Sequence, residues 1–306
     1  MDLHFGDSKP TDEERAAVDA LLGPPESSWE GADRCDTDLR WARGGREARD
    51  LLLPGLHAVN DRVGWISEGA LNYLCRRLTV PPAEAYGVAT FYAMFSLRPR
   101  PATVLHVCTD LACAAAGAGD LCAGVEARLG PGSGVAVERS PCLGLCERAP
   151  AALAVRAGDP VRTAVSAPAT VEAAVRTAGA PDAAPPEPPA VAAVPQAGDP
   201  SLTLLGRIGV VYPASLDDYR AHGGYAALRR AFALGPAGVI REVTDSGLVG
   251  RGGAAFPTGR KWQATASRPD RPHYLVCNAD ESEPGTFKDR VIMEGDPYAW
   301  RDGDMR

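Results

Sequence analysis

Residues 102–113 read ATVLHVCTDLAC, a short β-branched run that leads into two closely spaced cysteines. Val and Thr favour extended structure, so residues 102–108 are predicted to form a strand. Further along the chain the pattern predicts, in order, a helix at Asp120–Leu129, strands at Gly134–Glu138 and Ala151–Arg156, and a closing helix near Thr170–Thr177. This succession of strand, helix, strand, strand and helix predicts a small α/β layer.

Four of the eight cysteines form two close pairs: Cys108 and Cys113 in CTDLAC, and Cys142 and Cys146 in CLGLC. Each pair follows a predicted strand of this layer, so both are expected on loops at one edge of its sheet. Four thiolates there suit either tetrahedral zinc or a [2Fe–2S] cluster. The C-x4-C and C-x3-C spacings favour the cluster, because zinc sites commonly use C-x2-C. Zinc and unligated cysteines remain the alternatives.

Helical periodicity precedes this layer, from Arg46 to about Phe95. Ser67 is a predicted N-cap, and a further helix is predicted to start at the Pro81-Pro82 pair, since proline is tolerated in a first turn. The remaining cysteines are isolated and are not expected to bind metal: Cys35, Cys75, Cys122 and Cys277. Of these, Cys75 and Cys122 are expected to pack among apolar side chains.

The clearest boundary in the chain is a Pro/Ala stretch at residues 180–200, which holds seven prolines and no aromatic residue. Such a composition favours extended polyproline II structure, so this stretch is predicted to be a semi-rigid linker. Beyond it, Ser215 is expected to cap a helix, and HYLVC at 273–277 is predicted to be a buried strand. Residues 1–45 carry little information.

A glycine-rich stretch, GLVGRGGAAFPTGRKW at 247–262, follows the linker. Glycines let a backbone approach a ligand and point successive N–H groups at phosphate, although a structural turn is the plainer interpretation. Lys261 favours the interpretation of the loop as a phosphate-binding site. Of the 32 basic residues, 29 are arginine, so a lysine at this position is a rare choice. The acidic run NADESEPGTFKDR at 278–290 offers acceptors for sugar hydroxyls or, alternatively, is a solvated turn.

Composition limits the function classes. The 306-residue chain has 32 basic and 39 acidic residues, a net charge of −7, which argues against a nucleic-acid partner. It has no apolar run of the roughly 18 residues that span a bilayer, so direct membrane insertion is not expected. The polar N-terminus is not a secretory signal, and eight cysteines without one predict a cytoplasmic, reducing location.

The segments EAYGVATFYAMFSLRP (84–99), CTDLAC and SPCLGLCERAP (140–150) together resemble the peripheral [2Fe–2S] subunit of respiratory complex I. The resemblance implies a helical bundle at 46–100 and a thioredoxin-like [2Fe–2S] ferredoxin domain at 101–179. It also implies a set of cluster ligands: Cys108, Cys113, Cys142 and Cys146.

The segments GGYAALRRAF, GLVGRGGAAFPTGRKW and CNADESEPGTFKDR resemble the start of the NADH- and FMN-binding subunit of complex I, a unit shared with NAD-linked hydrogenases and formate dehydrogenases. Residues 201–306 are therefore expected to be the truncated N-terminal part of an α/β NADH/FMN-binding domain. The resemblance implies these FMN-pocket residues: Gly250, Arg251, Gly252, Lys261, Asn278, Asp280 and Ser282. It implies these residues toward the dinucleotide: Gly253, Ala254, Phe256, Glu281 and Glu283.

One position departs from the family pattern in the loop itself. Ala255 replaces a usual glycine, and a side chain there is expected to crowd the loop or to prevent a positive φ.

Taken together, the two resemblances predict an electron-input module. NADH would pass a hydride to FMN, and single electrons would reach iron–sulfur clusters that include the chain's own [2Fe–2S]. No catalytic acid or base is required. The alternatives are a diaphorase subunit of a formate dehydrogenase or hydrogenase, a non-enzymatic [2Fe–2S] carrier, and a zinc-stabilised interaction module. The expected partners are other subunits of an NADH-linked redox complex.

Overall fold

The computed structural model describes residues 6–25, 48–183, 199–251 and 253–299, together with Pro188 and Val194. The chain divides into two compact units, Met1–Glu187 and Pro188–Arg306. Within these described ranges, no helix combines the length and the apolar character needed to cross a membrane.

The first unit begins with helices that pack into a small bundle. Their bounds are α1 Asp12–Leu22, α2 Leu52–Val63, α3 Glu68–Leu78 and α4 Pro82–Phe91, with a short 3-10 turn at Arg49–Leu51 before α2. The bundle core consists of apolar side chains from each helix and includes Val18, Leu56, Leu74, Cys75 and Ala85. The predicted start signals are confirmed: Ser67 Oγ accepts a hydrogen bond from Ala70 N at 3.0 Å, and Pro82 opens α4.

Helix α1 lies in the segment from which the sequence analysis predicted little. Its start is a capping box, in which Thr11 Oγ1 accepts from Glu14 N and Thr11 N donates to Glu14 Oε2, at 3.2 and 2.8 Å. The motif T-x-x-E at 11–14 is a readable signal for such a start.

The second part of this unit is a mixed sheet with helices against one face. The strands are β1 Thr103–Cys108, β2 Val135–Ser140, β3 Ala152–Arg156 and β4 Arg162–Ser166; the helices are α5 Leu111–Ala115, α6 Ala118–Arg128 and α7 Val171–Gly179. The strand order is β2-β1-β3-β4, with β1 and β2 parallel and the other pairs antiparallel. Leu105 and Val107 of β1 pack on Leu121 and Val125 of α6, which gives this layer its core.

The thioredoxin-like layer is therefore as predicted, with one strand more. The additional strand is β4, whose sequence RTAVS has polar residues at both ends and gives little strand signal. Its pairing with β3 decides its conformation.

Arg100 joins the bundle to the sheet. Its Nη1 donates to both carboxylate oxygens of Glu138 on β2, at 3.0 and 2.9 Å. Its Nε donates to Gly64 O at 2.7 Å, and its Nη2 donates to Asn60 Oδ1 at 3.1 Å and to Met94 O at 2.9 Å. The Arg100 side chain is 8% exposed, so this is a buried, hydrogen-bonded ion pair between the two parts of the unit.

The described residues of the second unit form helices and a single isolated β-bridge. The helices are α8 Leu216–Ala221, α9 Ala226–Asp245, α10 Thr258–Ala266 and α11 Lys288–Gly295, and α9 is kinked at Gly235, just before Pro236. Ser215 caps α8 as predicted, accepting from Asp218 N at 3.1 Å. Gly259 lets α10 approach α9, because a Cβ there would lie 2.2 Å from Thr244 Oγ1.

The prediction of a buried strand at 273–277 is wrong. These residues have no regular secondary structure, and Tyr274, Leu275 and Val276 are 83, 68 and 85% exposed. A strand needs a neighbour to satisfy its backbone N–H and C=O groups. In the described part of this unit the only strand-type pairing is the bridge between Val249 and Pro257, so HYLVC has no partner strand there.

Candidate functional site

Both cysteine pairs lie at the same edge of the sheet. Cys108 is the last residue of β1, and its register partner on the parallel strand β2 is Ser140, two residues before Cys142. Past the ends of the strands, Thr109 N donates to Ser140 O at 3.1 Å and extends the pairing. The sheet therefore brings together two loops that are more than thirty residues apart in the chain, as the sequence predicts.

The four thiols form two pairs. Cys142 Sγ and Cys146 Sγ are 3.3 Å apart, and the Cys113 thiol is hydrogen-bonded to that of Cys108. Cys108 and Cys113 are buried, whereas Cys142 and Cys146 are half-buried. In the described part of the chain, no group of three or more Cys, His, Asp or Glu has the arrangement of a site for one metal ion.

The environments of Cys113 and Cys142 disfavour ionisation of these two thiols. Burial, followed by the hydrogen bond to Cys108, raises the pKa of Cys113 to about 12. Burial likewise raises the pKa of Cys142 to about 11, against the opposing effect of an N–H donated by Gly144 at 3.3 Å. Thiols of this kind become thiolates where a metal compensates their charge. Four thiols in two pairs fit a [2Fe–2S] cluster, which takes four cysteine ligands.

Two residues order these loops. The Asp110 carboxylate accepts from Leu111 N at 2.8 Å and from Cys142 N at 3.1 Å. Gly144, with φ +74, lets the second loop turn back so that its N–H reaches Cys142 Sγ. Asp110 was not among the predicted site residues. An Asp before a short helix is a recognisable N-cap signal, but nothing in the sequence indicates its bond to the other loop.

Two of the isolated cysteines have the positions expected of them. Cys75 and Cys122 are fully buried in the bundle core and the sheet core, and burial raises the pKa of Cys75 to about 12. Cys277 is exposed. Cys35 lies outside the described residues.

The glycine-rich stretch of the second unit is a closed loop. It begins and ends at the antiparallel bridge between Val249 and Pro257, where Gly250 N donates to Phe256 O and Thr258 N to Leu248 O, both at 2.9 Å. Helix α10 starts directly after the bridge.

The structure brings three of the predicted residues together at the base of this loop. Lys261 Nζ is 3.9 Å from the point where a Cβ on Gly250 would lie, and 5.8 Å from the centroid of the Phe256 ring. A Cβ on Gly253 would have no atom within 4 Å, so the space over the loop is open. A point charge beside an open glycine backbone fits the phosphate of a flavin nucleotide. Arg251 and Ala254 are exposed, and Gly252 lies outside the described residues.

The acidic residues form a turn before α11. Asn278 Oδ1 accepts from Asp280 N at 3.0 Å, while Glu281 caps α11, its Oε1 and Oε2 accepting from Asp289 N and Arg290 N at 2.7 and 3.1 Å. Asn278, Asp280, Ser282 and Glu283 are exposed. Because these side chains and those of the loop are exposed, this part of the chain does not by itself enclose a flavin; their roles toward FMN and dinucleotide remain predictions.

Ala255 adopts the positive φ that its side chain was expected to prevent. Its φ is +48, a left-handed conformation that costs an L residue about 1–2 kcal/mol. Ala255→Gly is therefore expected to stabilise the second unit by about 0.5–1 kcal/mol, the relief of strain being partly offset by the greater freedom of glycine in the unfolded chain.

The measurement is the urea midpoint from tryptophan fluorescence, to which the half-buried Trp262 of the second unit contributes. The control is Ala254→Gly, next to it in the loop but without a positive φ. That change is expected to lower the midpoint. A lower midpoint for Ala255→Gly would contradict the strain at Ala255.

Comparisons with known proteins match each unit to a different family. Residues 40–173 match the family described as thioredoxin-like [2Fe-2S] ferredoxin, and this range includes both cysteine pairs. Residues 243–303 match the family described as Nuo51 FMN-binding domain, and this range includes the glycine-rich loop, Lys261 and the acidic turn.

Among curated proteins, the chain is 53% identical over 89 residues to an NADH-quinone oxidoreductase subunit of Aquifex aeolicus, covering 29% of this chain and 21% of the relative. It is 47% identical over 91 residues to an NADP-reducing hydrogenase subunit, HndC, of Solidesulfovibrio fructosivorans, covering 30% and 18%. The chain thus spans about a fifth of the length of these relatives.

A solved structure covers more of the chain. The NAD+-reducing [NiFe]-hydrogenase in the air-oxidized state matches with a TM-score of 0.54 and 26% identity, over 79% of this chain and 41% of that one.

Proposed function

We propose that this chain is the electron-input module of an NADH dehydrogenase of the NADH-quinone oxidoreductase type. In it, a thioredoxin-like [2Fe–2S] ferredoxin domain is joined to part of a Nuo51 FMN-binding domain. The observation that carries the proposal is the meeting of two cysteine pairs at one sheet edge, in the same chain as a glycine-rich loop with a lysine at its base.

Each group of residues has one task in this proposal. The four paired cysteines hold the cluster, and the half-buried position of Cys142 and Cys146 leaves it within reach of an electron donor. The backbone of the glycine-rich loop and Lys261 bind the flavin phosphate, and Phe256 offers a flat face for the nicotinamide. When bound, FMN supplies a two-electron acceptor for the hydride of NADH, and the [2Fe–2S] cluster supplies a one-electron acceptor.

No side chain of this chain is assigned as a general acid or base. Hydride transfer between the two cofactors needs alignment rather than proton transfer by the protein. The chain is therefore proposed to bind the cofactors, to orient them and to tune their potentials, and none of its residues is assigned a catalytic role.

Its partners are proposed to be other subunits of a multi-subunit NADH-linked redox complex, in the cytoplasm. The relatives named above are themselves subunits of NADH-quinone oxidoreductase and hydrogenase. A diaphorase subunit of a hydrogenase or formate dehydrogenase is the nearest alternative, and the likeness to an NAD+-reducing hydrogenase favours it.

A second candidate function is that of a [2Fe–2S] electron carrier without NADH oxidation. The specific observation in its favour is the exposure of the loop and of the acidic residues, which leaves the flavin site open.

One sample separates these functions. An anaerobic visible spectrum of the purified chain is recorded, and iron, zinc and FMN are quantified on the same protein. Two irons with stoichiometric FMN, and NADH-dependent reduction of an artificial acceptor, are expected of the electron-input module. Two irons without FMN, in protein offered excess FMN, would instead support the carrier, and a colourless zinc protein would exclude both.

Lys261→Ala is expected to weaken FMN binding by about 1–3 kcal/mol, the scale of a hydrogen bond to a charged group. The dissociation constant would rise roughly 5- to 150-fold, as measured by quenching of FMN fluorescence. Gln263→Ala, an exposed change on the same helix, is the control and should leave affinity near that of the parent. Equal FMN affinities for the parent, Lys261→Ala and Gln263→Ala would show that Lys261 does not contact the phosphate.

A further inference from the structure

We propose that Asp110 is a positioning residue for the [2Fe–2S] cluster, whose carboxylate joins the two ligand loops and lowers the reduction potential of the cluster. The inference rests on the proposed function, since it presumes that the four cysteines hold that cluster. Asp110 lies between Cys108 and Cys113, and each of its oxygens accepts from a different loop.

The first contact is local. Asp110 is the N-cap of α5, and one oxygen accepts from Leu111 N at 2.8 Å. Helix α5 has only five residues, so the cap secures the turn that carries Cys113.

The second contact crosses the chain. The other oxygen accepts from Cys142 N at 3.1 Å, over a separation of 32 residues. The backbone bond from Thr109 N to Ser140 O joins the same loops where the strands end, so Asp110 adds a second link nearer the ligands. A ligand loop that is held at two points keeps its thiol in position, which slows the loss of iron from the cluster to a chelator.

The charge of Asp110 has its own consequence. The carboxylate lies beside the Cys142 backbone, and a negative charge close to a cluster favours the oxidised, less negative state. The same carboxylate occupies the Cys142 N–H, which therefore does not donate to sulfur, and hydrogen bonds to sulfur are among the factors that set cluster potentials. Both effects lower the reduction potential.

The test uses the cluster-loaded full chain and three variants. Asp110→Ser retains a capping oxygen for α5 but is too short to reach Cys142 N. Asp110→Asn keeps the size and removes the charge. Asp120→Asn is the matched control, since Asp120 is an exposed acid in the first turn of α6 in the same domain. The readouts are the rate of cluster loss to a chelator, from visible absorbance, and the midpoint potential from an EPR-monitored redox titration.

Asp110→Ser is expected to lose its cluster about tenfold faster than the parent, as the loss of one charged hydrogen bond predicts. Both Asp110 variants are expected to shift the midpoint to more positive values, and by more than Asp120→Asn does. If the apo form of Asp110→Ser does not show the far-UV circular dichroism spectrum of the parent, the proposal is judged on the results for Asp110→Asn alone.

The proposal is overturned if the Asp110 variants lose the cluster at the parent's rate and shift the midpoint no more than Asp120→Asn. A parent chain that holds no [2Fe–2S] cluster would instead contradict the proposed function itself. The two failures are therefore distinguishable in the first spectrum.

Discussion

Cys142→Ser is expected to remove most of the [2Fe–2S] cluster from the purified chain. The cluster is bound by thiolates, and a serine hydroxyl ionises far less readily than a thiol and replaces it poorly as a ligand. Cys142 is also the residue on which the second loop is organised, because its N–H is held by Asp110 and its Sγ accepts from Gly144 N. Losing this ligand leaves three thiols for two irons.

The measurement is iron per folded chain, with the visible spectrum recorded on the same sample. Cys122→Ala is the matched control: Cys122 is a fully buried cysteine of the same domain that packs in the sheet core and is not one of the paired cysteines. We expect the control to keep the iron content of the parent. An unchanged iron content in Cys142→Ser would refute its assignment as a ligand.

Arg100→Met is expected to destabilise the first unit by about 3 kcal/mol, the lower end of the cost of removing one partner from a buried ion pair. The guanidinium holds Glu138, Asn60 and two backbone carbonyls together across the boundary between bundle and sheet. Without it, these acceptors lose their donor. The lower end applies because the Glu138 side chain is 33% exposed and water can solvate part of its charge.

Arg62→Met provides the comparison, because Arg62 also links the bundle to the part of the first unit that contains the sheet. It pairs with Asp159, but the two side chains are 31 and 67% exposed, so the expected cost is below about 1 kcal/mol. The measurement is the urea midpoint of each variant by circular dichroism. Equal midpoints for the two variants would show that burial does not make the Arg100 contact special.

The cysteine pairs and several helix starts are predictable because their signals are local. The cysteine spacings, the β-branched run before Cys108 and the caps at Ser67 and Ser215 each depend on residues within a few positions of one another. Parallel neighbouring strands then place both pairs at one edge. The capping box at Thr11 is another local signal of this kind, although it was not among the predicted helix starts.

The contacts that order the site were not predictable, because they join distant residues. Asp110 reaches Cys142 over 32 residues, and Arg100 reaches Glu138 over 38. Nothing in the sequence near either residue names its partner. Strand formation also depends on a distant neighbour. Strand β4 forms because it pairs with β3, whereas the segment HYLVC has no partner strand in the described part of its unit.

By itself, the sequence predicted the class of the first unit, the two cysteine pairs and the glycine-rich loop, since spacing and residue type are properties of short stretches. Only the tertiary structure decided which backbone groups the loops share, which charges are buried and which apolar segment becomes a strand. The physical reason is that hydrogen bonds and burial are satisfied between elements, and the identity of the neighbouring element is settled only when the chain is folded.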